Sequence, residues 1–547
     1  MALPAIIGTT MAASYLDAKY GIVGDLKTVT KRNDSKIRSQ IMKMDKKGYC
    51  SGYLVIEDAA RRWPNKEALV FQRRSWTFAQ CEQEIGKLLG IIASLINTNL
   101  RKESLKYVLN LCKPKLAIVS EELLLNIIEI NDFEIPIVEF QLSNKKSTND
   151  AYNIYDDWNA TTTQTRRLYL NKLPKSNLNN FVKPKITSSD VICYIYTSGT
   201  TGLPKAVELP HTSFISKSIA PKRYGVYFFN DRRYCPLPLY HASSLIIGIF
   251  PCWGVGATFI IGRKFSASKF WDECRITNAT SIQHIGEICR YLMLQQQSIN
   301  DKNHKVRIIQ GNGLRSDIWQ AFRERFGIEL IVEFYAQTDG NAFLGNRNYG
   351  LFGLGAVGRQ GPLLNLLKLS EIIVKFDFEK GVPYRDPETG RCVLVNVNEP
   401  GEIIYEISPK GLIRNYLNIP QREDPRNLFD VFKKGDFWRR TGDLLVVDKD
   451  GWCYFADRIG DTFRWKGENI ASQYVAKYLC AYPDVIETTV YGLPLKAYDG
   501  QAGMAALVLN SKDKDSIKKT MNVLPRFLIK RGLPDPAIPR FIRLIDV

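Results

Sequence analysis

Thr197-Ser198-Gly199-Thr200-Thr201-Gly202 gathers hydroxyls and glycines in one short run, and Lys205 follows it. Glycine allows tight turns and close backbone approach. Successive N–H groups and hydroxyls in such a loop make a nest for phosphate oxygens, and a lysine adds a mobile point charge. The chemistry is therefore the binding of a phosphate-bearing anion. The spacing GxxGxxK is not the GxxxxGK[ST] of P-loop NTPases, so the class of nucleotide enzyme has to come from elsewhere in the chain. The 11 cysteines, Cys50, Cys81, Cys112, Cys193 and Cys235 among them, form no CxxC pair. Zinc and dithiol redox chemistry therefore find no support, and buried, reduced thiols of an intracellular protein are expected.

The loop needs a rigid base. Its lead-in, "VICYIYT" (191–197), is apolar, β-branched and aromatic, and reads as a strand. Upstream, "YLVIEDAARRWPNKEALVF" reads as helix, turn and strand. The runs "KLAIVS", "IPIVEF", "ATFIIG", "SIQHIG", "VRIIQG" and "LIVEFYA" also read as strands, alternating with helix-like segments. Such alternation predicts an α/β fold of layered, largely parallel sheets. A polar stretch at 143–188 reads as a loop. From about residue 370, "IIVKFD", "RCVLVNV", "GEIIYEI" and "LLVVDKDGWCYF" are short strands with turn signals, which predicts a β-rich subdomain. The expected organisation is a partly apolar, basic helical lead-in (1–50), a large domain (51–459) and a small α+β C-terminal domain (460–547).

The 547 residues are 45% hydrophobic and 24% charged, an ordinary composition with ample core. The formal charge of +19 fits a solvated basic surface, an anionic ligand or an anionic membrane surface. Nucleic acid is disfavoured, because zinc-finger spacing, RNP-like strands and basic-zipper heptads are missing. The uncharged opening "MALPAIIGTTMAASYL" stops at Asp17, short of the roughly 20 residues that span a bilayer. It also lacks the basic start of a signal peptide; a shallow anchor and a frayed helix both fit it. Ser243–Gly262 is long enough to span, but Pro251, Gly254 and Gly256 interrupt it, so a buried helix followed by a buried strand is expected.

The complete string "YTSGTTGLPK" resembles the AMP-binding signature of the adenylate-forming superfamily. The segments "PLPLYHASSLIIG" (236–248), "KFSASKFWDECR" (264–275), "QHIGEICRYL" (283–292), "GNGLRSDIW" (311–319) and "GDTFRWKGEN" (460–469), with "SLINTNLR" (94–101), are similar to its fatty-acid transport protein and very-long-chain acyl-CoA synthetase branch. The resemblance runs from about residue 50 to the end. It implies a two-step reaction: a fatty acid carboxylate attacks the α-phosphate of Mg-ATP, then coenzyme A takes the acyl group and AMP leaves. Catalysis would rest on positioning and on neutralising phosphate charge.

By the same resemblance, Thr197, Ser198, Gly199, Thr200, Thr201, Gly202 and Lys205 would hold the β- and γ-phosphates. His241 would stand at the junction of acyl group and adenylate. Gly311, Asn312 and Gly313 would line the adenine pocket, Tyr335 would stack on the base, and Thr338 would contact the α-phosphate. Asp339 would help bind Mg2+. Asp443 would accept from the ribose hydroxyls, with Arg458 supporting ribose or phosphate. A hinge is expected near Gly460-Asp461. Trp465, Lys466, Gly467 and Glu468 would belong to a loop serving the coenzyme A step.

Four departures from the family pattern stand out. The usual Tyr-Gly-x-Thr-Glu is Tyr335-Ala336-Gln337-Thr338-Asp339 here. The shorter carboxylate is expected to weaken metal binding without abolishing it, since Mg2+ is strict about geometry. Family members continue past "FIRLID" to a lysine in a short loop, whereas this sequence stops at Val547. A truncated final domain and a loss of about 10²–10³-fold in adenylation are expected on that account. A helix–strand unit normally stands where this chain has Gly86–Gly90, and losing a buried parallel strand would expose edges and apolar surface. Tyr474 and Ala476 replace usual glutamates. Divergence, truncation and a missing coding segment all account for these features.

The expected function is ATP-dependent activation of long- or very-long-chain fatty acids to acyl-CoA, linked to their uptake, with peripheral membrane association at the endoplasmic reticulum, peroxisome, lipid droplet or plasma membrane. The alternative is a non-catalytic relative that binds nucleotide or lipid and assists fatty acid transport.

Overall fold

The computed structural model describes residues 34–48, 50–86, 90–130, 137–140, 166–168, 185–197, 204–219, 221, 226–361, 371–407, 414–420, 423–465, 468–495, 501–511 and 513–545. The apolar opening of the lead-in and the phosphate loop 198–203 lie outside these residues.

The long alternating stretch builds an eight-stranded sheet. Its order is Phe343–Asn348, Leu330–Ala336, Ile308–Asn312, Ser281–Ile285, Arg232–Cys235, Thr258–Ile261, Glu67–Phe71 and Arg74–Thr77. The six inner strands are parallel, and the two edge strands run antiparallel to their neighbours. Strands of this kind are buried on both faces and so read as apolar runs. The helix Ser316–Phe326 buries Trp319, Phe322 and Phe326, which recur on one helical face, and stops at Gly327 in the left-handed region. Those aromatics share one core with Ile282, Ile309 and Ile331 of the sheet.

Two three-stranded sheets accompany the large one. In one, Ala93–Leu95 runs parallel to Val191–Thr197, which pairs antiparallel with Lys205–Pro210. In the other, Ala117–Ser120, Ile137–Phe140 and Arg166–Leu168 are parallel. Part of the stretch expected as a loop is therefore a strand, formed because Ile137–Phe140 offers it an edge. Ile91 and Ile92, beside the shortened junction, are 57% and 51% exposed, as loss of a covering element predicts.

The β-rich part is an antiparallel sheet ordered Gly358–Arg359, Trp452–Arg458, Phe437–Val447, Pro400–Glu406, Glu371–Asp377 and Val382–Pro383, with Asn427–Phe429 also on Phe437–Val447. The run "RCVLVNV" makes only isolated bridges, Arg385↔Cys392 and Val374↔Leu394. It leaves the ladder toward Asn398, which takes φ 63°.

Beyond Arg458 the chain forms a unit with its own core, which includes Val475, Leu479, Leu507, Leu524 and Leu528. Helices Ser472–Cys480 and Lys514–Lys530 accompany the sheet Val485–Pro494, Gln501–Leu509 and Phe541–Leu544. Arg290 Nε donates to Ile486 O at 2.8 Å, linking this unit to the larger one.

The uncharged run 243–262 is a helix followed by a strand, as its breakers predict. Ser243–Ile249 has π geometry, Phe250–Val255 is α, and Gly256 turns the chain at φ 75° into Thr258–Ile261. The wide π turns leave carbonyls for side chains to satisfy. Tyr227 donates its hydroxyl to Ile247 O, and Gln283 Nε2 donates to Ser243 O at 2.6 Å. A Cβ on Gly248 would lie 2.8 Å from Gln283 Oε1 and 3.0 Å from the Phe259 ring, so a larger residue there would have to shift these side chains. No described helix is long and apolar enough to cross a membrane.

Candidate active site

Parallel strands end together on one side of the large sheet, and ligands bind at such carboxyl ends. Two strand ends carry the expected nucleotide wall. Ile308–Asn312 runs into Gly313, whose φ is 84°. A Cβ on Gly311 would lie 2.0 Å from His284 O, and one on Gly286 only 1.8 Å from Gly313 O. Glycine at these two buried places is a packing requirement, and the exposed backbone that a flat base could approach is that of Asn312 and Gly313.

Glu333, in the neighbouring strand, fixes this wall. The register pairs it with Gly311. Its Oε1 accepts the backbone N–H of Gly313 and, at 3.2 Å, of Leu314, while Oε2 has no hydrogen-bond partner. Burial drives its carboxyl well above the usual range, against the two backbone donors that pull it down. Sequence reasoning passed over it, although one carboxylate amid the apolar "LIVEFYA" is a signal that could have found it.

Tyr335 lies two residues on, on the same face of the strand. Its hydroxyl donates to Asp443 Oδ2 at 2.7 Å. Gln337 Nε2 donates to the same oxygen at 2.6 Å and to Thr441 O at 2.7 Å. Asp443 and Arg458 are register partners across the hairpin, with Arg458 Nε 3.8 Å from Asp443 Oδ1. Burial raises the Asp443 carboxyl, and Tyr335, Arg458 and Gln337 pull it back. Arg458 is 65% exposed and stays free to turn toward a ligand.

At the phosphate end, Thr197 pairs with Lys205 and closes the base of the loop that joins them. Ser198, Gly199, Thr200, Thr201 and Gly202 lie outside the described residues. The strand Lys205–Pro210 also takes in the segment around Tyr416, through Val207↔Tyr416 and Leu417 N to Ala206 O at 2.8 Å. Lys205 Nζ stands 5.2 Å from the centre of the Tyr416 ring, and Arg426 Cζ stands 4.3 Å from it. The Tyr416 hydroxyl donates to Asp339 Oδ2, and Arg426 Nη1 reaches that oxygen at 2.7 Å. The Thr338 carbonyl accepts from Arg414 Nη1 at 2.8 Å. Neither Tyr416 nor Arg426 is marked by a motif in the sequence.

His241 precedes the π turns. It is exposed on one side, and packing on the other lowers its pKa. Tyr240 lies beside it, ring centres 4.7 Å apart. No hydrogen bond among the described residues joins its ring to Tyr335, Asp339 or Asp443. Trp465 is buried in the core of the C-terminal unit, so its side chain does not line a loop. Lys466 and Gly467 lie outside the described residues. Glu468 lies in a strand that pairs with Phe463–Trp465, and its side chain is outside the description.

A backbone wall, a ring and a carboxylate beside a basic hairpin suit a nucleoside phosphate. The AMP-binding enzyme family matches residues 87–417. Long-chain fatty acid transport protein 2 of Rattus norvegicus is 35% identical over 533 residues, 90% of this chain and 82% of its own length. Long-chain fatty acid transport protein 6 of Homo sapiens is 37% identical over 459 residues, 83% of this chain and 70% of its own. A benzoate CoA ligase from Burkholderia xenovorans shares the fold with a TM-score of 0.69 at 16% identity, over 91% of this chain and 96% of that one. ATP-bound MatB from Rhodopseudomonas palustris does so with a TM-score of 0.66 at 18% identity, over 91% and 95%. The chain belongs to the AMP-binding enzyme family, among its long-chain fatty acid transport proteins.

Proposed function

We propose that this protein activates long- or very-long-chain fatty acids. The fatty acid carboxylate attacks the α-phosphate of ATP, forming an acyl-adenylate and releasing pyrophosphate. The thiol of coenzyme A then attacks the acyl carbon, and AMP leaves. The observation that carries this reading is the Tyr335–Asp443 hydrogen bond beside the Gly311–Gly313 turn, a pairing that suits a base and a ribose.

Gly311, Asn312 and Gly313 would face the adenine, Tyr335 would stack on it, and Asp443 would accept from the ribose hydroxyls. Lys205, with Thr197, Ser198, Gly199, Thr200, Thr201 and Gly202, would draw the β- and γ-phosphates into line. Thr338 would meet the α-phosphate, and Arg458 would turn to ribose or phosphate. His241 would face the reacting carboxylate. Charge neutralised by preorganised groups is how such a site lowers the barrier. Lys466, Gly467 and Glu468 would serve the coenzyme A step after rotation near Gly460-Asp461. The basic charge and the lipid substrate support work at an anionic membrane surface.

A magnesium ion does not fit the protein groups as they stand. Among the described residues no group of three or more His, Cys, Asp or Glu side chains could hold a metal. Asp339 already accepts from Arg426 and Tyr416. That pairing favours a second reading, nucleotide or lipid binding without turnover. Mass spectrometry of products from labelled fatty acid, ATP and coenzyme A separates the two. Acyl-CoA is the expected product, and bound ATP without product supports the second reading.

A further inference from the structure

We propose that Arg426 is the resident counter-cation of Asp339 and competes with a divalent cation for that carboxylate, an inference that rests on the adenylation reading. Arg426 is held in place from behind. Its Nε donates to Asp424 Oδ1 at 2.9 Å and its Nη2 to Asp424 Oδ2 at 2.6 Å, a fork that fixes the guanidinium plane. Asp424 is in turn held by Arg439 Nη2 at 2.9 Å, and Arg439 is fully buried. The remaining nitrogen, Nη1, lies 2.7 Å from Asp339 Oδ2, with side chains 17% and 19% exposed. Two carboxylates and two guanidiniums therefore balance without any metal.

The Tyr416 hydroxyl occupies the same oxygen of Asp339. A divalent cation reaching that oxygen would meet a guanidinium that its Asp424 fork keeps close, and like charges in a partly desolvated place repel strongly. Asp339 must release Arg426 before it can serve a metal. Magnesium arriving on ATP is thus carried mainly by the phosphates, while Arg426 and Lys205, one on the Tyr416 ring and one near it, supply fixed positive charge beside them.

The test is calorimetric titration of the full chain with ATP, without fatty acid, in excess magnesium and in excess chelator. In the wild type the two affinities should agree within about threefold, because the metal gains little from a carboxylate already paired. R426Q removes the cation from Asp339, leaving the Tyr416 hydroxyl on it, and leaves Asp424 with Arg439. Its two affinities should differ by more than about tenfold, about 1.4 kcal/mol of added coupling. Arg426→Lys keeps the charge but loses the Asp424 fork, so its magnesium response should fall between wild type and R426Q. Asp339→Asn should leave the wild-type magnesium response unchanged, and this variant carries the test if R426Q does not fold.

Equal responses in wild type and R426Q would overturn the inference alone. So would a wild-type difference of more than about tenfold that Asp339→Asn abolishes, since the carboxylate would then already be on the metal. Failure of ATP to bind the wild type in either condition would overturn both the inference and the adenylation reading.

Discussion

Tyr335 and Asp443 come from different sheets and lie 108 residues apart in sequence, yet the tyrosine hydroxyl reaches the aspartate at 2.7 Å. The parallel sheet ends at Tyr335, and the β-rich sheet brings Asp443 to it opposite Arg458. The bond places the ring and the carboxylate before any nucleotide arrives. Preorganisation of this kind removes part of the ordering cost of binding.

Replacing Asp443 with alanine should weaken ATP binding about 10- to 100-fold, the range for a lost hydrogen bond to a charged group. Tyr335→Phe keeps the stacking surface and loses one donor, so its loss should be smaller, about 3- to 10-fold. Titration with ATP checks both. Equal affinity in the Asp443 variant would remove the ribose role.

Glu333 acts at one remove, through the backbone of Gly313 and Leu314. Glu333→Gln retains an oxygen acceptor in a neutral side chain and should keep the ATP KM within about threefold. Glu333→Leu strands two buried N–H groups and should raise the ATP KM about 10-fold or more, with the fatty acid KM little changed. A merely structural role would shift both KM values together.

Gly286→Ala would set a methyl group against the Gly313 carbonyl, at 1.8 Å before relaxation. The wall must move. A loss of about 1–3 kcal/mol in unfolding free energy is expected, as for other overpacked sites, accompanied by weaker ATP binding. Denaturant melts and titration measure the two effects. An unchanged ATP affinity would separate Gly286 from the nucleotide wall.

His211 and His284 are buried, and burial depresses each to about 4 from an ordinary 6.5. His211 Nδ1 accepts the N–H of Gly52 at 2.8 Å, a bond that requires the deprotonated nitrogen. The unfolded chain therefore binds more protons than the folded one between these values. Stability should be fully present above pH 6.5 and fall as pH drops toward 4, by about 1.4 kcal/mol per pH unit for each histidine. Urea melts across this window should show a slope that His211→Asn lowers by about 1.4 kcal/mol per pH unit.

The strand ends and turns at Gly313 and Tyr335 were legible because their residues sit in contiguous motifs. "GNGLRSDIW" and "EFYAQTD" each carry their strand and their turn together, and the structure brings Gly313, Tyr335 and Asp443 to one place. The Asp339–Arg426 pair was not legible. They stand 87 positions apart, and nothing in the sequence between them aligns two side chains from separate segments. Trp465 misled for another reason. An aromatic beside Lys466-Gly467 reads as part of an exposed loop, but its ring supplies core to a small unit short of buried apolar area. The strand Arg166–Leu168 was hidden by polar composition, since an edge strand needs only backbone to pair.

Adenylation is the central claim, and ATP–pyrophosphate exchange measures it directly. The purified chain should catalyse exchange in the presence of magnesium, and only when a long or very long fatty acid is present. Absence of exchange across a panel of such acids, with ATP still bound, would contradict the account and leave a nucleotide-binding site without its chemistry.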